Sequence, residues 1–473
     1  MVRMINNDKL DKQNVEDILG LTPIQLGILY ETLQSDIGTL YLAQLTLRLY
    51  GDIDIKLLRQ SFKLVTEDNQ MLRCVFRWEN IGNPVQIILK AHTIPVFEYD
   101  MENMSEEQAG IEIRRHREFM LNNGIDLKSN PIGLQVFRLS SRSYHLVITW
   151  HHIIYDGWSN IIFIKEILTT YGALRSGGEV HRQMKAAYKK YVEYHRKRDR
   201  KEQEELFWRQ YFGGYKEDAK PLRPFNRPIL KIGRVTAKIP EDVMNNISTY
   251  QKNGNTTLAT IIFGAWLLLL YKNTGKTDLS TGITMSGRNA DIPGIENTIG
   301  LFINTLPLRI EFKKAMKVKD LLSHIRNKVI TLIQYETSNL TDIKKFGGIQ
   351  GNLYDTLAVV ENYPVDLQQW LEKNDELYLQ SYESEEINNF NLVLCILPQD
   401  YNTVLLQYNT ELYPKEYMER SIRNFIGILR IIVREPEMKA DDVERLLLQE
   451  TDDILTGMKE RNSNIDAGTD MLW

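Results

Sequence analysis

Two adjacent histidines, His151 and His152, are followed at short range by Asp156 and Gly157 in the stretch HHIIYDGWS. An imidazole exchanges protons near neutrality, a carboxylate can orient it or react itself, and a glycine lets backbone approach a reacting group. These residue types suit acyl transfer, in which an enzyme aligns a nucleophile with an acyl carbonyl, stabilises an oxyanion and moves one proton. The chain carries no Gly-x-Ser-x-Gly elbow for a serine nucleophile, and neither Cys74 nor Cys395 adjoins a histidine. Direct attack on an already activated acyl group, without a covalent acyl-enzyme, is the chemistry that fits.

Flanking elements must hold the pair in place. Tyr144 to Trp150 (YHLVITW) is a β-branched and aromatic run that predicts a buried strand. Asn160 to Leu174 carries apolar residues at helical spacing, and Ser159 is able to cap that helix. The pair therefore sits at the exit of a strand. Further strands are predicted at Leu42 to Tyr50 and Leu134 to Leu139, and a helix at Ile55 to Glu67. Met184 to Tyr211 reads as one charged helix with Tyr188, Tyr191, Tyr194, Phe207 and Trp208 as packing residues, ending at Gly213 and Gly214. Pro221, Pro224 and Pro228 make a stiff connection. Beyond Gly233 the pattern predicts a strand (Arg234 to Ile239), a core helix (Leu258 to Tyr271) and a strand (Leu279 to Met285). A chain of 473 residues exceeds one typical core. The expected division is an N-terminal lobe 1–177, a charged helix and Pro-rich connection 178–232, and a C-terminal lobe 233–473.

Composition excludes several classes. A net charge of −4 supplies no general attraction to nucleic acid, and the charged stretch YHRKRDRKEQEE from Tyr194 to Glu205 reads as a solvated helix face because its acids follow its bases closely. Two cysteines far apart, with no CxxC partner, argue for a reducing, cytoplasmic compartment and against structural zinc. His92, His116, His145, His181, His195 and His324 are isolated and have no metal-site spacing. The start, MVRMINNDKL, contains no long apolar segment, and the run from Leu258 to Tyr271 is shorter than the roughly 20 residues that span a bilayer. A monomer with no membrane or nucleic-acid partner is expected.

HHIIYDGWS resembles the HHxxxDG signature of nonribosomal peptide synthetase condensation domains, a branch of the chloramphenicol-acetyltransferase-like acyltransferases. Leu21 to Leu29 (LTPIQLGIL) resembles the opening motif of that family, and Ile299 to Arg309 (IGLFINTLPLR) its glycine-Phe-x-Asn-Thr motif. Tyr188 to Tyr194 (YKKYVEY) and Tyr354 to Pro364 (YDTLAVVENYP) are similar to two more, all in the order of the family. One motif departs: where the family has Arg-His-Glu, one residue, then Leu-Arg-Thr-x-Phe, this chain reads DNQMLRCVF from Asp68 to Phe76, keeping Leu72, Arg73 and Phe76. A role that needs the first arginine of that motif has no residue here. The resemblance implies an α/β fold with two chloramphenicol-acetyltransferase-like lobes arranged as a V, and the active site between them.

It further implies that the amine of an acceptor aminoacyl-carrier protein attacks the thioester of a donor carrier protein, and that His152 is the active-site histidine. A free α-amino group has a pKa of about 7.7 to 8.0, so reaching the neutral form at pH 7 costs only about 1.4 kcal/mol. His152 is accordingly read as orienting the amine and taking its proton as the intermediate forms. His151 is either structural or catalytic, with structure favoured because adjacent side chains point apart. Asp156 is either a catalytic carboxylate or, as the resemblance favours, an ion pair with Arg73 or Arg288 that fixes the loop. Gly157 either offers its N–H to the oxyanion or only meets a turn requirement. Trp158 and Ser159 line the entrance or merely pack and cap. Asn304 and Thr305, polar among Leu301, Phe302, Ile303 and Leu306, either make a strand-end hydrogen bond or contact the pantetheine arm or active-site loop, the latter favoured by the resemblance.

The opening motif with GLFINTLPLR and ENYP resembles the branch that takes a D-configured donor and an L-configured acceptor. Rival readings are an epimerisation domain, an ester-forming acyltransferase with an alcohol acceptor, and a non-catalytic recruitment platform. The first lacks its HHxxxDxxSW and EGHGRE-like motifs here; the last draws weak support from DNQMLRCVF. No cofactor is expected in the domain itself; phosphopantetheine would arrive on partner carriers. Adenylation, carrier and epimerisation domains are the expected neighbours, in secondary metabolism such as antibiotic or siderophore synthesis. No adenylation signature or carrier serine motif occurs in the chain, so either a free-standing enzyme or one domain of a megasynthase is expected.

Overall fold

A computed structural model describes residues 11–35, 39–197, 200–215, 232–254, 256–360, 377–386, 390–396 and 402–443. The strand Ser143–His151 is central to a five-stranded sheet in the order Leu377–Glu386, Leu42–Gly51, Ser143–His151, Ile132–Arg138, Val96–Asp100. Its run of Val147, Ile148 and Trp150 is buried, as a β-branched and aromatic strand covered on both faces should be. A six-stranded sheet, Asn304–Glu311, Asp278–Met285, Thr356–Val360, Leu392–Ile396, Thr403–Asn409 and Ile232–Lys238, organises the second lobe. A three-stranded sheet of Val15–Gly20, Val85–Leu89 and Cys74–Arg77 flanks the first. The result is a mixed α/β, two-lobed fold.

The helix Leu258–Thr274 lies in the core of the second lobe, with Ile261 through Leu270 buried. Thr257 caps its start by accepting the Thr260 N–H, and Gly275 ends it at φ +67°, a left-handed turn that glycine adopts without strain. Among the described residues no single helix is long and apolar enough to cross a membrane.

One expectation needs correction. The stretch from Met184 is not one helix: helices occupy Tyr188–Lys197 and Lys201–Tyr211, while 184–187 have no regular secondary structure. Tertiary partners hold that segment. The Lys185 ammonium meets Asp68 at 2.6 Å and Glu166 at 2.7 Å, and the Ala186 N–H donates to Thr298 Oγ1 at 2.8 Å. The proline stretch 221–228 lies outside the described residues.

Segments from beyond residue 233 also pack with the first sheet. The strand Leu377–Glu386 joins the sheet of the first lobe, and Leu377, Leu379 and Tyr382 enter its core. So do Ala290, Ile292, Ile295, Ile299, Leu301 and Phe302. An edge strand of a sheet needs a backbone partner, and the first lobe takes one from far along the chain.

Candidate active site at the lobe junction

Strand register positions the histidines. Leu42 pairs with His151 and Ala43 with Trp150, so His152 lies just past the end of the sheet, where its N–H donates to the Tyr41 carbonyl at 2.9 Å. Tyr41 itself has φ +62°, a left-handed conformation that costs a residue with a Cβ about 1–2 kcal/mol.

The two histidines have different surroundings. His151 is 3 % exposed; its Nδ1 accepts the Ile153 N–H at 3.2 Å, and its Nε2 is 3.1 Å from Thr32 Oγ1. Because Nδ1 accepts, the neutral ring carries its proton on Nε2 and donates it to Thr32, whose own hydroxyl donates to the Ile28 carbonyl. Burial, with the neighbouring charge of His152, pushes the His151 pKa down to about 3. It is a neutral brace between the motif and the helix Pro23–Gln34.

Burial alone would lower the His152 pKa too, but the Glu386 carboxylate, with smaller help from Asp156 and a hydrogen bond to the Tyr155 backbone, holds it above the usual range. His152 Nε2 lies 3.4 Å from Glu386 Oε1. Trp150 packs edge-on against the ring at 5.9 Å.

Asp156 has no solvent exposure. Its Oδ1 accepts from the Ser159 N–H (3.0 Å), the Ser159 hydroxyl (2.9 Å) and Arg288 Nη2 (3.2 Å). Its Oδ2 accepts the N–H groups of Phe302 (2.9 Å) and Ile303 (3.2 Å). Arg288 in turn donates to the carbonyls of Ile295 and Thr298 and lies 4.2 Å from the centre of the Phe302 ring. Asp156 therefore clamps the motif of the first lobe onto the 295–303 loop. Of the two arginines named from sequence, Arg288 is its partner. Arg73, the residue before the strand Cys74–Arg77, is instead buried beside Glu16 (2.6 Å) and the Leu89 carbonyl of the three-stranded sheet.

Helix Gly157–Ser176 begins one turn earlier than its apolar pattern suggests, with Gly157 first and Asp156, not Ser159, as its cap. The Ser159 hydroxyl accepts from Arg288 (3.0 Å) and from the Gly300 N–H (3.1 Å), which adds a second tie between the lobes. Trp158 donates to the Glu296 carbonyl at 3.3 Å and covers the Arg288 guanidinium at 5.0 Å. Asn304 is occupied by structure: its amide N–H groups donate to the carbonyls of Glu336 (2.8 Å) and Ser338 (2.7 Å), and its oxygen accepts the Thr305 N–H. Thr305 follows it in the strand Asn304–Glu311, half-buried.

The other motifs converge on the same place. Gln25, from the opening motif, donates to the Ile153 carbonyl at 3.1 Å. Tyr188 and Tyr191 donate to the carbonyls of Leu301 (2.7 Å) and Phe302 (3.1 Å). Tyr354 is buried, whereas ENYP lies outside the described residues. Glu386 was missed. It stands in no motif, and an acidic run, ESEE, carries no signal of which carboxylate turns inward. Among the described residues no group of three or more His, Cys, Asp or Glu side chains is placed to hold a metal ion.

Comparisons agree with this geometry. A family model for the condensation domain matches residues 15–455. Tyrocidine synthase 2 of Brevibacillus parabrevis is 27% identical over 405 residues, covering 84% of this chain but 11% of that relative. Surfactin synthase subunit 3 of Bacillus subtilis (strain 168) is 26% identical over 462 residues, covering 95% of this chain and 36% of the relative. The chain thus spans a minor part of the length of both. The first condensation domain of the calcium-dependent antibiotic synthetase superposes with a TM-score of 0.74 at 17% identity, over 91% of this chain and 99% of that one. On the match across nearly its whole length, with the HHIIYDG segment in place at the junction of two lobes, this chain belongs to the condensation-domain family.

Proposed function

We propose that this chain forms amide bonds in nonribosomal peptide synthesis. The amine of an acceptor aminoacyl group attacks the thioester of a donor, each delivered on the phosphopantetheine arm of a partner carrier protein. His152 orients the amine and takes its proton as the tetrahedral intermediate forms. One contrast carries this reading. Asp156, Ser159 and His151 have their side-chain polar atoms engaged by protein groups, whereas His152 presents Nε2 to Glu386, whose side chain keeps about a third of its surface exposed. His152 is the motif residue left able to serve a substrate. Alignment of two tethered reactants supplies the larger share of the rate, and the proton acceptor adds about a hundred- to ten-thousand-fold.

The opening motif, GLFINTLPLR and ENYP support a D-configured donor and an L-configured acceptor. Relatives that are far longer peptide synthases support further synthetase domains beside this one, for which we propose adenylation, carrier and epimerisation domains, and a role in secondary metabolism; the two distant cysteines support a cytoplasmic site of action. We keep the division into lobes 1–177 and 233–473 with a connection at 178–232 as a reading of chain connectivity, with the strand Leu377–Glu386 lent to the first lobe.

The test is a single-turnover reaction read by intact-protein mass spectrometry, with D- or L-aminoacyl carriers as donors and an aminoacyl carrier as acceptor. A mass gain on the acceptor that vanishes in His152→Ala is expected, with the D donor faster. No transfer from any donor, despite measurable carrier binding, would sink the reading; inversion of the donor α-carbon without transfer would replace it with epimerisation.

A further inference from the structure

Glu386 meets His152 because of register. Ala43 pairs with Trp150 on one side and with Glu386 on the other, so the two strands flanking Leu42–Gly51 run the same way and leave the sheet at the same end. The carboxylate then lies 3.4 Å from Nε2. In a serine-type triad the carboxylate holds Nδ1 and leaves Nε2 to the reaction. Here Glu386 stands instead at Nε2, the nitrogen that such a triad leaves to the reaction. A carboxylate in that place favours a cation beside it, and without substrate the group it faces is the His152 imidazole, whose protonated form it favours.

We infer that Glu386 is the anchor of the acceptor amine: the α-ammonium of the acceptor replaces the His152 imidazolium as the counter-ion of Glu386, which seats the amine between that carboxylate and a neutral His152. The inference rests on the amide-forming reading above. On binding, the imidazolium gives its Nε2 proton to solvent. The ammonium then passes one proton to Nε2, its freed electron pair forms the C–N bond at the thioester carbonyl carbon, and the C–S bond breaks with its pair on sulfur. The second amine proton goes to that thiolate. Three ammonium N–H bonds become one amide N–H, one S–H and one imidazolium N–H, and the His152–Glu386 pair is restored.

The surrounding charges are compatible with this exchange. Burial pushes the Glu386 carboxyl up, but His152 and Arg234 hold it below the usual carboxylate range. Arg234 itself contacts Glu385 at 3.4 Å. Asp156, on the other side of His152, favours the imidazolium but is engaged by Arg288, and His151 is neutral.

The experiment compares wild type, Glu386→Gln and Glu386→Asp, with a loaded donor carrier and glycyl-N-acetylcysteamine as acceptor. Its hydroxyacetyl analogue, which has no ammonium, is the control. Loss of one charged hydrogen bond is expected to raise the glycyl KM about ten- to hundredfold in Glu386→Gln, with donor KM unchanged, a smaller loss for the hydroxyacetyl acceptor and partial rescue by Glu386→Asp. The acidic limb of kcat and the NMR titration of His152 should both move to lower pH. Equal losses for glycyl and hydroxyacetyl acceptors would reveal a structural role and overturn the anchor, as would an unchanged glycyl KM. If wild type forms no amide with any pair, the amide-forming reading fails. The anchor is then judged by glycyl thioester binding, followed through the His152 NMR signal, and equal binding by wild type and Glu386→Gln overturns it.

Discussion

Asp156 Oδ1 and Arg288 Nη2 stand 3.2 Å apart across the lobe junction, both side chains shut from solvent, although 132 positions separate them in the chain. Removing one partner of a buried pair leaves the other charge without compensation, which costs about 3–5 kcal/mol. Asp156→Ala and Arg288→Ala should each lower stability by that amount in urea unfolding. Because both deletions break the same pair, the double variant should cost less than the sum of the single ones. Additive losses would mean that the pair does not hold the lobes.

The adjacent histidines should separate cleanly. His152→Ala is expected to lower amide formation by about a hundred- to ten-thousand-fold with little change in the urea midpoint. His151→Ala leaves the Ile153 N–H without its acceptor and should cost about 1–3 kcal/mol of stability while most turnover is retained at low temperature. Comparison of kcat with the unfolding midpoint for both variants checks this, and a reversed pattern would exchange their roles.

Stability should depend on pH through the same residues. His151 (pKa about 3), His92 (about 4) and His145 (about 4) are all lowered, chiefly by burial. An unfolded histidine takes up a proton near pH 6.5, so between about pH 6.5 and 4 the unfolded chain binds more protons than the fold. Stability therefore falls on acidification, with a slope of up to about 1.4 kcal/mol per pH unit for each histidine. His152, raised by Glu386, acts oppositely: its contribution is fully present below pH 6.5 and is lost as pH rises through its folded value. Urea melts from pH 4 to 8 should show a shallower acid slope in His151→Gln than in wild type.

Gly287 precedes the clamp arginine at φ +66°, and an added Cβ would lie 1.7 Å from the Phe302 carbonyl oxygen. Gly287→Ala should cost more than the roughly 1–2 kcal/mol of the left-handed backbone alone and displace Arg288 from Asp156. Thermal unfolding measures the first effect, and reduced amide formation by protein that is still folded measures the second.

Asn304 holds the turn around Glu336 and Ser338, so Asn304→Ala should act on stability, by about 1–3 kcal/mol, and leave the acceptor KM unchanged. A raised KM with an unchanged unfolding midpoint would instead return Asn304 to the substrate.

Much of this was legible because local rules and tertiary role coincide. The YHLVITW run is apolar and β-branched, and it forms the central strand that delivers His151 and His152 to the sheet end. The polar residues among apolar ones at Asn304 and Thr305 signalled a fixed partner, and the Asn304 amide has one in the carbonyls of Glu336 and Ser338. Helix limits were less legible. Ser159 is a good cap by type, yet Asp156 caps the helix because its carboxylate already faces the Ser159 N–H.

The sequence by itself determined the order of the elements, the family and the identity of the histidine pair, since these depend on periodicity and on residues close together in the chain. Only the tertiary structure decided that Arg288 rather than Arg73 meets Asp156, that His151 is locked neutral, and that Glu386 faces His152. These are through-space relations. A strand from position 377 onward completes a sheet begun at position 42, and the register of that pairing selects which carboxylate of an acidic run reaches the His152 imidazole.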